Sequence, residues 1–192
     1  MKYFDIYIVG VGGQGVLTIA DIITLTAAKK DVPVNYYPTK GMAQRGGFVK
    51  AQLRIGRKPL EFSPSIPLGG ADLIVSMEVN ETLKAIKYAK KGAEYVLCGL
   101  RWEPTAVMLG KAPYPDVETV EAEIYKAKGE YTYISPESIG DMRGNLFILG
   151  TMYACTKLKE MFSQQELEQT ISDRWPKVSE ANIATFRAGM KI

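Results

Sequence analysis

The chain has 192 residues, 46% of them hydrophobic, enough to bury one sizeable core and most simply a single domain over residues 1–192. Its 24 basic and 21 acidic residues leave a formal charge of +3 with no long run of one sign, so the electrostatics call for neither a nucleic acid nor a membrane partner. Histidine is absent and the two cysteines are Cys98 and Cys155, which excludes a Ser-His-Asp triad, a His-ligated metal, a histidine general base and a self-contained four-cysteine zinc or iron–sulfur site.

The first element is a strand-like run, Tyr3 to Val9, that drops into Gly10-Val11-Gly12-Gly13-Gln14-Gly15 and then into a helical pattern through Lys29. In this order of strand, turn and helix, glycines let the backbone turn tightly and present helix N-terminal N–H groups to a phosphate or another anion. Gly10, Gly12, Gly13, Gln14 and Gly15 are therefore candidate cofactor-binding residues. The alternative is a turn whose glycines serve close packing alone. A second strand is expected over Val32 to Tyr37. A nicotinamide site would place an acid at its end to hold the ribose hydroxyls. Pro38-Thr39-Lys40 stands there instead, and Asp31 lies at the wrong end, so an ordinary NAD domain is the weaker interpretation.

Phe48 to Ile55 alternates apolar with polar residues, as a half-exposed strand does. The segment before it, Pro38 to Gly47, is too glycine-rich for a stable helix and too long for a tight turn. Arg45 in this segment offers a bidentate fork to a phosphate or carboxylate. It forms a candidate catalytic pair with Gln44, and Lys40 is a candidate cofactor-binding cation; a solvated loop is the alternative. Met42 suits an interface contact. Lys40, Arg45, Lys50, Arg54, Arg57 and Lys58 are the densest basic excess, and strand alternation argues against their forming one patch.

A loop from Ser63 to Gly70 leads into Leu73 to Met77, a strand buried on both faces. A helix is expected over Asn80 to Lys90 with Gly92 as its stop, then a buried strand at Tyr95 to Cys98. Glu78 would sit at the sheet's carboxyl edge, where open α/β sheets bind ligands, although a helix N-terminal acid favoured by the dipole explains it more simply. Cys98 fits a small buried hydrophobe. Gly99 to Pro115 reads as loop, Glu118 to Lys128 as helix, Tyr131 to Ile134 as the last strand, and Asn145 to Glu160 as a long apolar helix. Ser163-Gln164-Gln165-Glu166 is a capping box opening a helix to about Trp175, and Ser179 is placed to cap a final helix from Glu180 to about Arg187.

Strands and helices alternate over most of the chain, which gives a three-layer α/β/α, Rossmann-like domain with a largely parallel sheet. No segment reaches the roughly 18 apolar residues of a membrane span, and no basic-then-apolar leader opens the chain. A cytoplasmic location with both thiols reduced is expected.

The two glycine motifs together, Gly10 to Gly15 and Lys40-Gly41-Met42-Ala43-Gln44-Arg45-Gly46-Gly47, resemble the gamma-type module of 2-oxoacid:ferredoxin (acceptor) oxidoreductases. Further landmarks of the resemblance are Ser63-Pro64, Gly70-Ala71-Asp72, Met77-Glu78, Tyr114-Pro115, Gly144-Asn145, Asn182 and Phe186. Within that family the chain is similar to the small beta subunit of indolepyruvate ferredoxin oxidoreductase. The resemblance implies a subunit of a thiamine-diphosphate enzyme that oxidatively decarboxylates a 2-oxoacid with coenzyme A, giving an acyl-CoA, carbon dioxide and two electrons for ferredoxin. It assigns thiamine diphosphate, Mg and the iron–sulfur clusters to partner subunits. It gives this chain a thiamine-bearing large subunit to dock on and coenzyme A to help position, and it implies that the isolated chain is inactive. A homodimer stays open. Lys40 stands where the indolepyruvate subunits usually carry histidine, and Cys98-Gly99 where their fifth strand usually ends in asparagine, so the 2-oxoacid, pyruvate or aromatic, also stays open. Two rivals remain: a free-standing mononucleotide-binding protein of Rossmann-like fold, and a purely structural assembly module whose glycine loops only pack.

Overall fold

Phe4–Val11 forms β1, and all eight of its residues are buried because other strands pair with both of its edges. The computed structural model describes residues 2–40 and 47–192, apart from the side chains of Lys40, Thr105 and Ala106. The other strands are β2 (Val34–Lys40), β3 (Phe48–Ile55), β4 (Ala71–Ser76), β5 (Ala89–Cys98) and β6 (Glu130–Ile134), and the sheet order is β2-β3-β1-β4-β5-β6. The pairs β1–β4, β4–β5 and β5–β6 are parallel, whereas β3 is antiparallel to both β1 and β2. Five strands therefore share one direction and β3 alone opposes them, as a largely parallel sheet requires.

The helices are α1 (Val16–Lys29), α2 (Val79–Ala85), α3 (Thr105–Met108), α4 (Val117–Lys126), α5 (Pro136–Ile139), α6 (Gly144–Cys155), α7 (Gln164–Arg174) and α8 (Ser179–Gly189). Strand alternation sorts the core into two layers. On the first face Ile6, Ile8, Leu53 and Val75 pack with Ile19 and Ile23 of α1, Leu149 of α6, Leu167 of α7 and Phe186 of α8. On the second, Tyr7, Val9, Ile74 and Leu97 pack with Val79 and Ala85 of α2 and with Val120 and Ile124 of α4. Each such aliphatic side chain contributes roughly 1.5–3 kcal/mol by leaving water. Near the amino edge of β1, Asp5 is buried between Arg54 at 3.4 Å and Arg57 at 3.0 Å. Arg54 also donates to the Ser63 carbonyl at 2.8 Å, and Gln52 Oε1 accepts the Ile66 N–H at 2.6 Å, so polar side chains of β3 pin the 56–70 segment over the second face.

Several boundaries differ from the sequence expectation. The strand β2 runs through Pro38 to Lys40, which proline allows because β2 is an edge strand. The helix expected to reach Lys90 stops at Ala85, Ile86–Tyr88 form a 3-10 turn, and Ala89 already belongs to β5. Gly92, at φ +78, stands within the irregular stretch where β5 shifts register against β4, not at a helix end. The long apolar helix ends at Cys155 because Thr156 is extended; its hydroxyl donates to the Met152 carbonyl and accepts the Leu158 N–H, starting a separate 3-10 turn at Lys157–Glu160. Ser179 lies inside α8 and does not cap it. The Ser163–Glu166 capping box forms both of its bonds. Among the described residues, no helix is long and apolar enough to cross a membrane.

Candidate functional site

Two neighbouring parallel strands, β1 and β4, lead away in opposite directions: β1 through α1 toward β2, and β4 through α2 toward β5. The gap between their carboxyl ends is a topological switch point, the place where open α/β sheets hold ligands. One wall is the glycine turn. Gln14 closes it twice, donating its backbone N–H to the Val11 carbonyl at 3.1 Å and accepting the Val11 N–H on Oε1 at 2.8 Å.

The glycines do different work. At Gly10 a β-carbon would come within 2.7 Å of Gln14 Oε1, 2.8 Å of Val16 and 3.0 Å of Met77, so the position is small because the turn and β4 close around it. Gly15 is the N-cap of α1 with φ +89, and a β-carbon there would meet Asn145 of α6. Gly13 has φ +107, and among the described residues nothing lies within 4 Å of a β-carbon built on it. Among the described residues no side chain caps α1, and its first turn carries no acid. The first N–H groups of a helix lack intrahelical partners, and the dipole there favours negative charge.

Gly12 donates its N–H to the Gly47 carbonyl at 2.8 Å. This bond brings the end of the second glycine motif against the first. Lys40 closes β2 opposite Val49, which on its other side pairs with Gly10, so Lys40 and Gly47 both lie at the end of the sheet that bears the glycine turn. The fold thus gathers Gly10, Gly12, Gly13, Gln14, Gly15, the Lys40 backbone and Gly47. Gln44, Arg45, Met42 and the Lys40 side chain lie outside the described residues.

The opposite wall is built on Glu78, whose residue is fully buried and is the N-cap of α2. Its Oε2 accepts the Glu81 N–H at 2.9 Å; its Oε1 accepts the Trp102 N–H at 3.0 Å and a short bond from the Tyr114 hydroxyl. Burial, then the adjoining carboxylate, holds the Tyr114 pKa above the ordinary tyrosine value. Glu78 is therefore the helix-capping acid and also a clasp for the 100–115 segment, on which Trp102 is half exposed. One turn on, Glu81 is 5% exposed; Oε1 pairs with Lys84 at 2.7 Å while Oε2 has no hydrogen-bond partner. Desolvation, opposed by Lys84, raises its pKa. Cys98 is a core residue, and burial pushes its thiol up to about 11, so it is not a ready nucleophile.

Reasoning along the chain did not single out Asn145, Trp102 or Tyr114 for a role. Tyr114 and Asn145 entered only as landmarks of a resemblance, because no local spacing links them to the turn or to Glu78.

A glycine turn and a buried acid at the switch point of a sheet with one antiparallel insertion make a Rossmann-like arrangement. The chain belongs to the pyruvate ferredoxin/flavodoxin oxidoreductase family, which it matches over residues 5–192. It is 31% identical to indolepyruvate oxidoreductase subunit IorB of Archaeoglobus fulgidus, over 96% of this chain and 92% of that protein. It is also 31% identical to the IorB subunit of Pyrococcus horikoshii, over 100% of this chain and 96% of that one. Among solved structures, the pyruvate oxidoreductase subunit PORC of Thermotoga maritima superposes with a TM-score of 0.69 at 19% identity, covering 100% of this chain and 97% of that chain. The 2-oxoglutarate:ferredoxin oxidoreductase of Magnetococcus marinus, solved with 2-oxoglutarate, coenzyme A and succinyl-CoA bound, gives a TM-score of 0.72 at 20% identity; the match covers all of this chain and 31% of that one. These likenesses show that the fold is that of the oxoacid:ferredoxin oxidoreductase gamma subunits.

Proposed function

We propose that the chain docks on the thiamine-bearing subunit of a 2-oxoacid:ferredoxin oxidoreductase and helps to position coenzyme A at the shared active site. The observation that supports this reading is the Gly12–Gly47 bond, which sets Gly47, the last residue of the second glycine motif, against the turn that opens α1. A phosphate of coenzyme A suits that N-terminus, with Gly13 giving it room and the backbone of Gly12 to Gly15 supplying donors. Thiamine diphosphate, Mg and the clusters that carry electrons belong to the partner, and ferredoxin is the acceptor of the whole complex. The relatives act on indolepyruvate, pyruvate and 2-oxoglutarate by their names, so an aromatic 2-oxoacid is favoured by the IorB relatives alone.

A second reading, the purely structural module, draws on Gly10 and Gly15, whose missing side chains make room for protein atoms. Purification of the chain with its partners from the native cell, followed by assay of 2-oxoacids with coenzyme A and a ferredoxin substitute, tests the first reading. A co-purifying thiamine-bearing subunit and coenzyme A-dependent turnover are expected. Assembly and turnover whose coenzyme A affinity ignores changes at Gly13 favour the structural module, and turnover by the chain alone overturns both.

A further inference from the structure

Among the described residues, the helix that packs on β2 and β3 is α1, on their first face. On the second face the 56–70 segment is bonded to Arg54 and Gln52. Strand pairing sets Tyr7, Gln52 and Tyr37 in one row there, and Val9, Lys50 and Thr39 in the next row toward the carboxyl edge. Tyr88, in the turn after α2, stacks on Tyr7 with ring centroids 4.4 Å apart and planes 17° from parallel. Lys50 Nζ sits 5.9 Å from the Tyr7 ring and 6.0 Å from the Tyr88 ring. Lys87 approaches Tyr88 at 5.6 Å, and Lys84 lies 5.2 Å from the ring of Phe48.

The other cations of this stretch are spent. Arg54 and Arg57 share the one carboxylate of Asp5, and Lys84 pairs with Glu81. Among the described residues Lys50 and Lys87 have no carboxylate at ion-pair distance, so this face carries uncompensated positive charge over an aromatic floor. We propose that it docks an acidic segment of the partner subunit. The inference rests on the docking role proposed above and adds a surface to it, continuous with the strand ends that flank residues 41–46.

Two physical points favour an acidic polypeptide over a small anion. The two uncompensated ammonium groups come from a strand and a turn and lie over the rings of Tyr7 and Tyr88, which suits separate carboxylates of one chain better than one phosphate. The rings also hold those groups in place on one side, so less rotamer freedom is lost when carboxylates arrive on the other. Paired charges of this kind act mainly on association rate and selectivity, and salt screens them.

The test uses the full chain with its partner subunits, comparing wild type with Lys50→Glu, Lys87→Glu, the double variant and the matching Lys→Arg double. Association is measured at low and high salt, with melting of the free chains alongside. At low salt the double reversal is expected to weaken assembly at least tenfold, with a flatter salt dependence, and the arginine double to assemble normally. Lys87→Glu, on an exposed turn, keeps the test sound if Lys50→Glu folds poorly. Unchanged assembly of the double reversal overturns the proposal. So does a loss confined to coenzyme A affinity, which would make the occupant a small anion, or to self-association, which would make it a second copy. A wild-type chain that binds no thiamine-bearing subunit overturns the docking role itself, a different failure.

Discussion

The side chain of Asn145 stands against the α-carbon of Gly15 so closely that a β-carbon on Gly15 would lie 2.5 Å from its Nδ2. The start of α6 is thereby locked onto the start of α1. Gly15→Ala combines this collision with a left-handed φ of +89, and a destabilisation of roughly 2–3 kcal/mol is expected, read as a lower denaturation midpoint. Gly13→Ala carries the backbone strain without the collision, costing about 1–2 kcal/mol. Its larger effect is expected in the assembled enzyme, as weakened coenzyme A binding. Equal stability losses for the two variants would refute the contrast.

Glu78→Gln replaces an acceptor of three donors with a group whose amide nitrogen can accept none of them. At least one buried donor loses its partner, at roughly 1.5–3 kcal/mol. Because the Trp102 N–H and the Tyr114 hydroxyl share Oε1, the amide oxygen keeps both by taking that position, and the Glu81 N–H at the start of α2 is the donor that loses its partner, so the first turn of α2 should loosen first. The expected signature is faster amide exchange at Glu81 and the first turn of α2 below the global unfolding transition, with Trp102 fluorescence unchanged there.

Glu81 gives a pH dependence of a definite sign. Its pKa is raised in the folded chain, chiefly by desolvation, so in the window from the ordinary glutamate value up to the raised one the native state binds more protons than the unfolded state. Its contribution therefore makes stability fall as pH rises through that window. The lowered carboxyls Glu166, Glu168 and Asp173 act oppositely, losing stability as pH falls. Subtracting the urea-unfolding profile of Glu81→Gln from that of the wild type isolates the term, and a flat difference would contradict it.

Arg45→Ala is expected to leave the melting of the isolated chain unchanged while the reconstituted complex loses roughly 1.5–3 kcal/mol of docking or transition-state stabilisation. Lys40→Ala should matter less, as a point charge that water partly replaces. Unchanged assembly and turnover would remove the loop from the site, and early melting would mark Arg45 as structural.

What the sequence made legible was local. The order of strand, glycine turn and helix and the Ser163 capping box are each written within a few residues, and each appears; β3 forms where its alternation places it, but it is not half exposed, because the 56–70 segment buries Gln52 and Arg54 on its polar face. Misread boundaries came from tertiary context. Pro38 ended the second strand on paper because nothing local says that β2 lies at a sheet edge, and Gly92 looked like a helix stop because the β4–β5 pairing that claims Ala89 is non-local. The site shows the same limit. Glu78 as a helix acid could be read from its neighbours, but its bonds to Trp102 and Tyr114 span 24 and 36 residues. Asn145 against Gly15 carried no signal beyond the family landmarks.

The insertion of β3 beside β1 also bears on how the chain is made. β1, buried at every residue in the folded chain, pairs with residues 48–55 and 71–76. At about 5–20 residues per second, several seconds pass between the emergence of Val11 and that of Ser76. During that interval an unpaired, water-averse edge must be shielded by α1 or by a chaperone, and nascent-chain aggregation should concentrate in lengths that end before the fourth strand.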